Sequence, residues 1–332
     1  MWKQAYYMIA RNAGSLLPRP IILAAHIGIP HYLFSFTAPE TTGANRNIDF
    51  APTPGAELSV TAGYGDYALS FKRPLPKSES KKSTYGDTTY SDLRLEFAHE
   101  NLAASLFHQR YRGFYTDLNG TGTYVRTDFD DVADPNGGPR SGPSEIIKRP
   151  DIRSRHVGLV GYYALPLLND DTQSFLLAFR TPPTSLRAGL GLDFVTSGAY
   201  NYAQLNGDQP FIPSNRSEYF GAGSSLSAIR MHSLTVAAGL ASAYVLESRR
   251  SYFDFMFLFG IGPQEQRAVF ASEVSKRLAL VSDVHLKLGY AYQTAHQKFG
   301  LHLAVDNWTT KARNVRFNSS SLALELSYIL SI

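Results

Sequence analysis

Large apolar residues alternate with small or charged ones to the last residue of this chain. Leu322, Leu324, Leu326, Tyr328, Leu330 and Ile332 are interleaved with Ala323, Glu325 and Ser327. Successive side chains of an extended strand point to opposite faces, so the segment reads as a strand with one greasy face and one carrying Glu325. A strand that ends flush with the chain terminus is how a closed transmembrane barrel finishes, its last strand pairing with its first. That pattern makes an outer-membrane β-barrel the first expectation.

Composition supports that reading over its rivals. Hydrophobic residues make up 44% of the 332, mean hydropathy is slightly negative, and no run of about 20 apolar residues offers a membrane helix. A barrel escapes that test because only alternate residues of each strand meet lipid. Tyr 20 and Phe 20 are counts that two aromatic girdles would use, and zero cysteine removes disulfides, thiol catalysis and thiolate metal sites together. The net charge of +4 comes from basic residues scattered along the chain, which argues against nucleic acid as a partner. The N-terminal stretch lacks a small-residue cleavage site behind a proper apolar core, so on this reading an exported chain is a trimmed form.

Period-2 patterns recur through most of the sequence. Leu278, Leu280, Val284, Leu286, Leu288, Tyr290 and Tyr292 lie opposite Asp283, His285, Lys287 and Gly289; Phe253, Phe255, Phe257, Phe259 and Ile261 share one face. Other polar faces hold Glu57, Lys72, Arg94, Glu96, Arg187 and Asp193, with several Gly and Ala among them. A soluble sheet favours Lys, Glu and Thr on its wet face, whereas small residues mixed with charges of both signs suit a confined lumen.

Strands are expected at 29–39, 48–63, 67–73, 90–98, 102–115, 153–164, 172–180, 185–199, 217–229, 232–246, 250–262, 277–293, 297–310 and 315–331. That gives an all-β, antiparallel transmembrane barrel of about fourteen strands, or about twelve if the Gly/Ser-rich 217–229 segment is no strand. The turns near Gly65, Glu100, 165–171, 247–249 and 294–296 then fall on the periplasmic side with both termini. The long connectors 74–90, 116–152 and 263–276 fall outside, and 200–216 breaks the rule by being long and periplasmic. Residues 1–28 do not alternate and are expected to form a periplasmic or lumenal segment ahead of a barrel spanning 29–332.

The segment R-Y-R-G-F-Y, Arg110 to Tyr115, followed after a long loop by R-P-D-I-R-S-R-H-V-G-L-V-G-Y-Y, Arg149 to Tyr163, resembles an uncharacterised family of predicted outer-membrane barrels known mainly from Bacteroidetes-type bacteria. The likeness runs from about residue 30 to the end. It implies fold and location, and it brings no activity.

Chemistry is sparse. A serine and a histidine two apart on one strand would share a face, but His232 directly precedes Ser233, which turns them to opposite faces, so no enzyme is expected. The in-facing set Asp283, His285, Lys287, His302 and Asp306 reads as an ionic ladder before an acid/base site. Asp128, Asp130, Asp131 and Asp134 offer hard oxygen ligands for calcium, but Pro139 stands where a bidentate Glu belongs, so a solvated acidic loop is expected and no metal or cofactor. Tyr162, Tyr163, Tyr290, Tyr292, Tyr111, Phe114, Tyr115 and Trp308 are expected in the girdles.

Two functions follow as expectations. One is a pore or transporter for small solutes, its selectivity set by Glu57, Arg94, Glu96, Arg187, Asp193, Asp283, His285, Lys287, His302, Asp306 and Glu325. The other is a non-conducting barrel acting as a scaffold or partner-docking subunit of an envelope complex, with 116–152 as a candidate plug. Its partners would be the bilayer, outer-membrane lipids and envelope proteins.

Overall fold

The computed structural model describes residues 21–38, 47–117, 146–168, 188–248, 250–294, 296–312 and 315–331. Thirteen strands form one sheet: β1 (Ile21–Thr37), β2 (Asn47–Phe50), β3 (Glu57–Tyr64), β4 (Tyr67–Pro74), β5 (Thr89–His99), β6 (Leu102–Asp117), β7 (Ile146–Leu168), β8 (Gly189–Asn206), β9 (Ala228–Val245), β10 (Ser251–Val269), β11 (Val274–Gln293), β12 (Gln297–Ala312) and β13 (Val315–Ser331). Sequential neighbours pair antiparallel, and β13 pairs with β1 from Ile22↔Ser331 to Thr37↔Arg316. The wall of the sheet therefore closes into a ring through the β13–β1 pairing, as a hydrocarbon surround demands.

Side-chain alternation sets inside from outside. On β10 Phe253, Phe255, Phe257, Phe259 and Ile261 are exposed, while Tyr252, Met256 and Leu258 are buried. Exposed Leu278 and Leu280, Phe299 and Leu301, Leu324 and Leu326, Ile27 and Ile29, Val60 and Leu69, and Leu159 continue that apolar surface around the ring. An outward belt this wide belongs in lipid: water would expel it, and monomeric soluble proteins rarely expose so much apolar area. The barrel spans a membrane.

β2 and β3 occupy the same flank of β1, so twelve of the thirteen described strands go round the ring. The expected strand at 217–229 is instead a string of short helical turns over Ser214–Ser225. Its glycines 221 and 223, two of them within three residues, favour turns over a packed strand. This removes the awkward parity: 207–227 joins the ends of β8 and β9 on the side opposite β1's start and β13's end. The 263–276 connector, expected long, is mostly strand, because β10 runs to Val269 and β11 starts at Val274. The first barrel strand begins at Ile21, ahead of the expected 29. The expected strand at 172–180 lies outside the described residues.

β3, β4 and β5 are short. Above their ends β2 leaves β1 and reaches β6, where Ala51 and Tyr115 exchange backbone hydrogen bonds of 3.0 and 2.9 Å. A bulge in β6 between Arg112 and Phe114 accommodates this crossing. Gly113 sits there at φ +83°, and a Cβ on it would lie 2.3 Å from the Asp87 carbonyl oxygen, so only glycine fits without strain.

Candidate functional site, the lumen and its seal

The lumen has two levels. At the end away from β1's start and β13's end it is filled by one apolar cluster that includes Phe34 and Phe36 of β1, Ile48 and Phe50 of β2, Phe114, Ile152, Met231 and Phe317 from the wall, and Phe211, Ile212, Phe220 and Leu226 from the 207–227 segment. Phe34 stacks on Phe50 at 4.9 Å and meets Phe114 edge-on at 5.0 Å. Phe36 stacks on Phe211 at 5.2 Å. Phe34, Phe36, Phe50 and Phe211 are fully buried, and each such side chain is worth about 1.5–3 kcal/mol of burial.

The inserted segment is held by charge-assisted hydrogen bonds. Arg149, on β7, donates both Nε and Nη2 to the Asp151 carboxylate at 2.8 Å. Its Nη1 and Nη2 also donate to the carbonyl oxygens of Pro210 and Gln209 at 2.8 and 3.0 Å. Asp151 in turn accepts from the Asp208 backbone N–H at 3.0 Å. Arg149 is itself buried, so its fork fixes the chain just before Phe211 and Ile212 enter the barrel.

Below the seal the inner face is polar on one side, with three ionic clusters. In the first, Lys72 donates to Glu57 Oε1 at 3.2 Å and to Glu325, while the Tyr90 hydroxyl donates to the other Glu57 oxygen. Glu325 comes from β13 and Lys72 from β4, so this group crosses the seam where the ring closes. In the second, Asp92 accepts Arg94 through Nε and Nη2, at 3.0 and 2.9 Å to Oδ2, and Gln109 at 2.9 Å. In the third, His285 lies between Asp306 at 2.6 Å and Asp283 at 2.9 Å, with Ser321 donating to Asp306 at 3.4 Å. The opposite wall of this level is lined by Ala98, Ala103, Ala164, Val195, Ala237, Ala241, Met256 and Leu258. The Asp306 and Arg94 side chains keep 52% and 31% exposure although they point inward, so the lower chamber admits water.

Sequence-expected lumen residues fall largely where alternation put them. Glu57, Arg94, Glu325, Asp283, His285 and Asp306 enter the ionic clusters, and Glu96, Asp193, Lys287 and His302 share the inward face at positions of the same parity. Arg187, and the aspartates 128, 130, 131 and 134, lie outside the described residues. Reasoning from sequence missed Asp92, Tyr90 and Gln109, although Asp92 stands two residues before Arg94 and so had to share its face. The girdle expectation holds for exposed Tyr163, Tyr290 and Tyr292. It fails for Tyr111, Phe114, Tyr115, Tyr162 and Trp308: Phe114 belongs to the seal, on which Tyr111 and Trp308 pack, Tyr115 is buried, and Tyr162 packs on the lower apolar wall. The reason is parity, because each of these except the post-bulge pair falls on the inward set of its strand.

Comparison with curated proteins gives no match. Among solved structures, the chain is similar to the outer membrane protease OmpT from Escherichia coli, at 10% identity and a TM-score of 0.36, over 95% of this chain and 97% of that one. It is similar to the translocator domain of the autotransporter NalP from Neisseria meningitidis, at 10% identity and a TM-score of 0.41, over 97% and 94%. It is likewise similar to the COG4313 outer membrane channel from Pseudomonas putida F1, at 12% identity and a TM-score of 0.36, over 96% and 97%. By sequence, the profile described as Domain of unknown function (DUF4421) matches residues 21–329, and the chain belongs to that family.

Proposed function

We propose that this protein is a bacterial outer-membrane barrel with both termini periplasmic, closed to solutes at its outer mouth, that serves as a non-conducting scaffold or docking subunit of the envelope rather than as an open pore or an enzyme. One observation carries the reading: Phe34, Phe36, Phe50 and Phe211 fill the outer lumen as a packed aromatic core. A conduction path cannot run through close-packed rings. Small ions and solutes would need the whole cluster to part.

Planar-bilayer recording of the purified, heat-modifiable protein tests this. The expected record is flat at all moderate voltages, and frequent steps of porin size would overturn the proposal. Co-purification of a stoichiometric envelope protein after mild extraction is the second expected outcome.

A gated pore for small solutes is the second reading, favoured by the water-exposed Asp306 and Arg94 beneath the seal. Its signature would be a flat wild-type record that becomes conducting when the Arg149 fork is removed by Arg149→Met. Under the scaffold reading the variant barrel loses stability and gains no steps.

A further inference from the structure

The two segments that carry the family resemblance place four arginines side by side on the outer wall. On β6 and β7, Arg110 is the direct cross-strand partner of Arg155, and Arg112 of Arg153. All four are exposed and outward-facing. Like charges directly opposite one another repel and destabilise a strand pair, yet here two such pairs are stacked in adjacent rows. Among the described residues the four have a single ion pair, Arg153 to Asp208 at 4.0 Å, in which both side chains are mostly exposed.

What does order the tile is a neutral acceptor. His108 Nε2, one row nearer the apolar belt, receives Arg110 Nε at 3.1 Å and Arg155 Nε at 3.3 Å. Arginine has five N–H donors and no acceptor, and among the described residues these two bonds use only the Nε of each fork. They also hold the two guanidiniums close together. Immediately below on the same face come Leu106 and Leu159, 47% and 53% exposed, which are direct partners of each other. Gln204 continues the row beside Arg155 on β8. The outward face thus passes from aliphatic to histidine to paired arginines along two adjacent strands, the polarity profile of a lipid molecule running from acyl chain to anionic headgroup.

We propose that this tile binds the phosphate group of a phosphorylated membrane lipid, its chains lying on Leu106 and Leu159 and its phosphate oxygens taking guanidinium N–H groups of Arg110, Arg155, Arg112 and Arg153. The occupant is a lipid rather than free phosphate because the cations stand at the edge of the lipid-facing belt, where a headgroup is already delivered by the bilayer. Planar guanidiniums match phosphate bidentately, which a lysine would not. The inference rests on the membrane-spanning reading of the barrel but not on whether its lumen conducts.

Native mass spectrometry of the detergent-solubilised barrel provides the test, with three probes: a diphosphorylated lipid A, its dephosphorylated counterpart and inorganic phosphate. The wild type is expected to retain the phosphorylated lipid alone. Replacing both Arg110 and Arg155 by Gln should weaken retention by about tenfold or more, since two charge-assisted contacts are lost. Arg110→Lys with Arg155→Lys should recover only part of it. A control pair with the same loss of charge elsewhere on the outward face, Arg73→Gln with Lys311→Gln on two strands that do not pair with each other, should bind as wild type. Equal retention of the dephosphorylated lipid, displacement by inorganic phosphate, or an equal loss in the control pair would each overturn the proposal. Heat-modifiable migration of every variant, run in parallel, shows that the barrel compared is folded.

Discussion

Lys72 offers the sharpest test of how the ring is held shut. Its ammonium lies between two carboxylates, Glu57 Oε1 at 3.2 Å and Glu325, which sit 15 and 253 residues of chain from Lys72 respectively. The lysine side chain is 8% exposed, Glu57 4% and Glu325 14%. Substituting Lys72→Met keeps the aliphatic stem and removes the cation, leaving two buried carboxylates facing each other across the β13–β1–β3–β4 seam. Breaking a buried ion pair in this way costs about 3–5 kcal/mol, because the two carboxylates lose the cation between them and cannot regain water in exchange. Deleting all the charge is cheap by contrast: Glu57→Gln, Lys72→Met and Glu325→Gln together should cost within about 1 kcal/mol of nothing, since a well-packed neutral replacement of a buried pair is often neutral. Tyr90 keeps an acceptor in either case, as a Gln carbonyl can replace the Glu57 oxygen it donates to. Urea unfolding of the barrel in lipid vesicles, read by tryptophan fluorescence and by loss of the compact band on gels, gives both free energies. The reasoning fails if the triple variant is as unstable as Lys72→Met, which would make packing volume rather than charge the cause. It fails equally if Lys72→Met costs less than about 1 kcal/mol, the range of a solvent-screened pair.

Other consequences are local. Glu100 turns the chain from β5 to β6 at φ +49°, a left-handed conformation that a branched or long side chain adopts at a cost; Glu100→Asn should raise stability by about 0.5–1 kcal/mol in the same urea assay. Gly113→Ala, which drives a methyl into the Asp87 carbonyl at 2.3 Å, should lower it by about 2 kcal/mol or more. Phe34→Ala opens a cavity among Phe36, Phe50, Phe114 and Phe317 and should cost about 3–5 kcal/mol, with a lowered midpoint of heat-modifiability as the readout. Asp92→Asn is expected to disturb both Arg94 and Gln109, and should cost about 1.5–3 kcal/mol for the lost charge-assisted bonds.

Strand existence and facing were legible because parity is strict: a one-residue slip would turn every lumen residue to lipid. That is why Glu57, Arg94, Asp283, His285, Asp306 and Glu325 could be assigned to the inside from spacing alone. The pairings were not legible, since nothing in the local spacing of Lys72 says that its partner lies on the last strand. Shear around a closed ring decides that, and shear is a property of all strands together. The seal was missed for a different reason, and its trace is present in the sequence. Alternation defines a wall with lipid on one side and water on the other; where a strand is apolar on both faces, the inner face must meet protein. β1 alternates cleanly through His26 and Gly28, then from Tyr32 to Phe36 carries Leu33 on one face and Tyr32, Phe34 and Phe36 on the other. Phe317 in β13 and Phe114 after the bulge in β6 break the polar inner pattern at their own outer ends. The segment Phe211–Ile212, between two prolines, is an apolar pair with no strand to belong to. Three wall strands lacking a reason to carry inward aromatics and one loop lacking a reason to be apolar satisfy each other, and the level at which alternation fails is the level at which this barrel is closed.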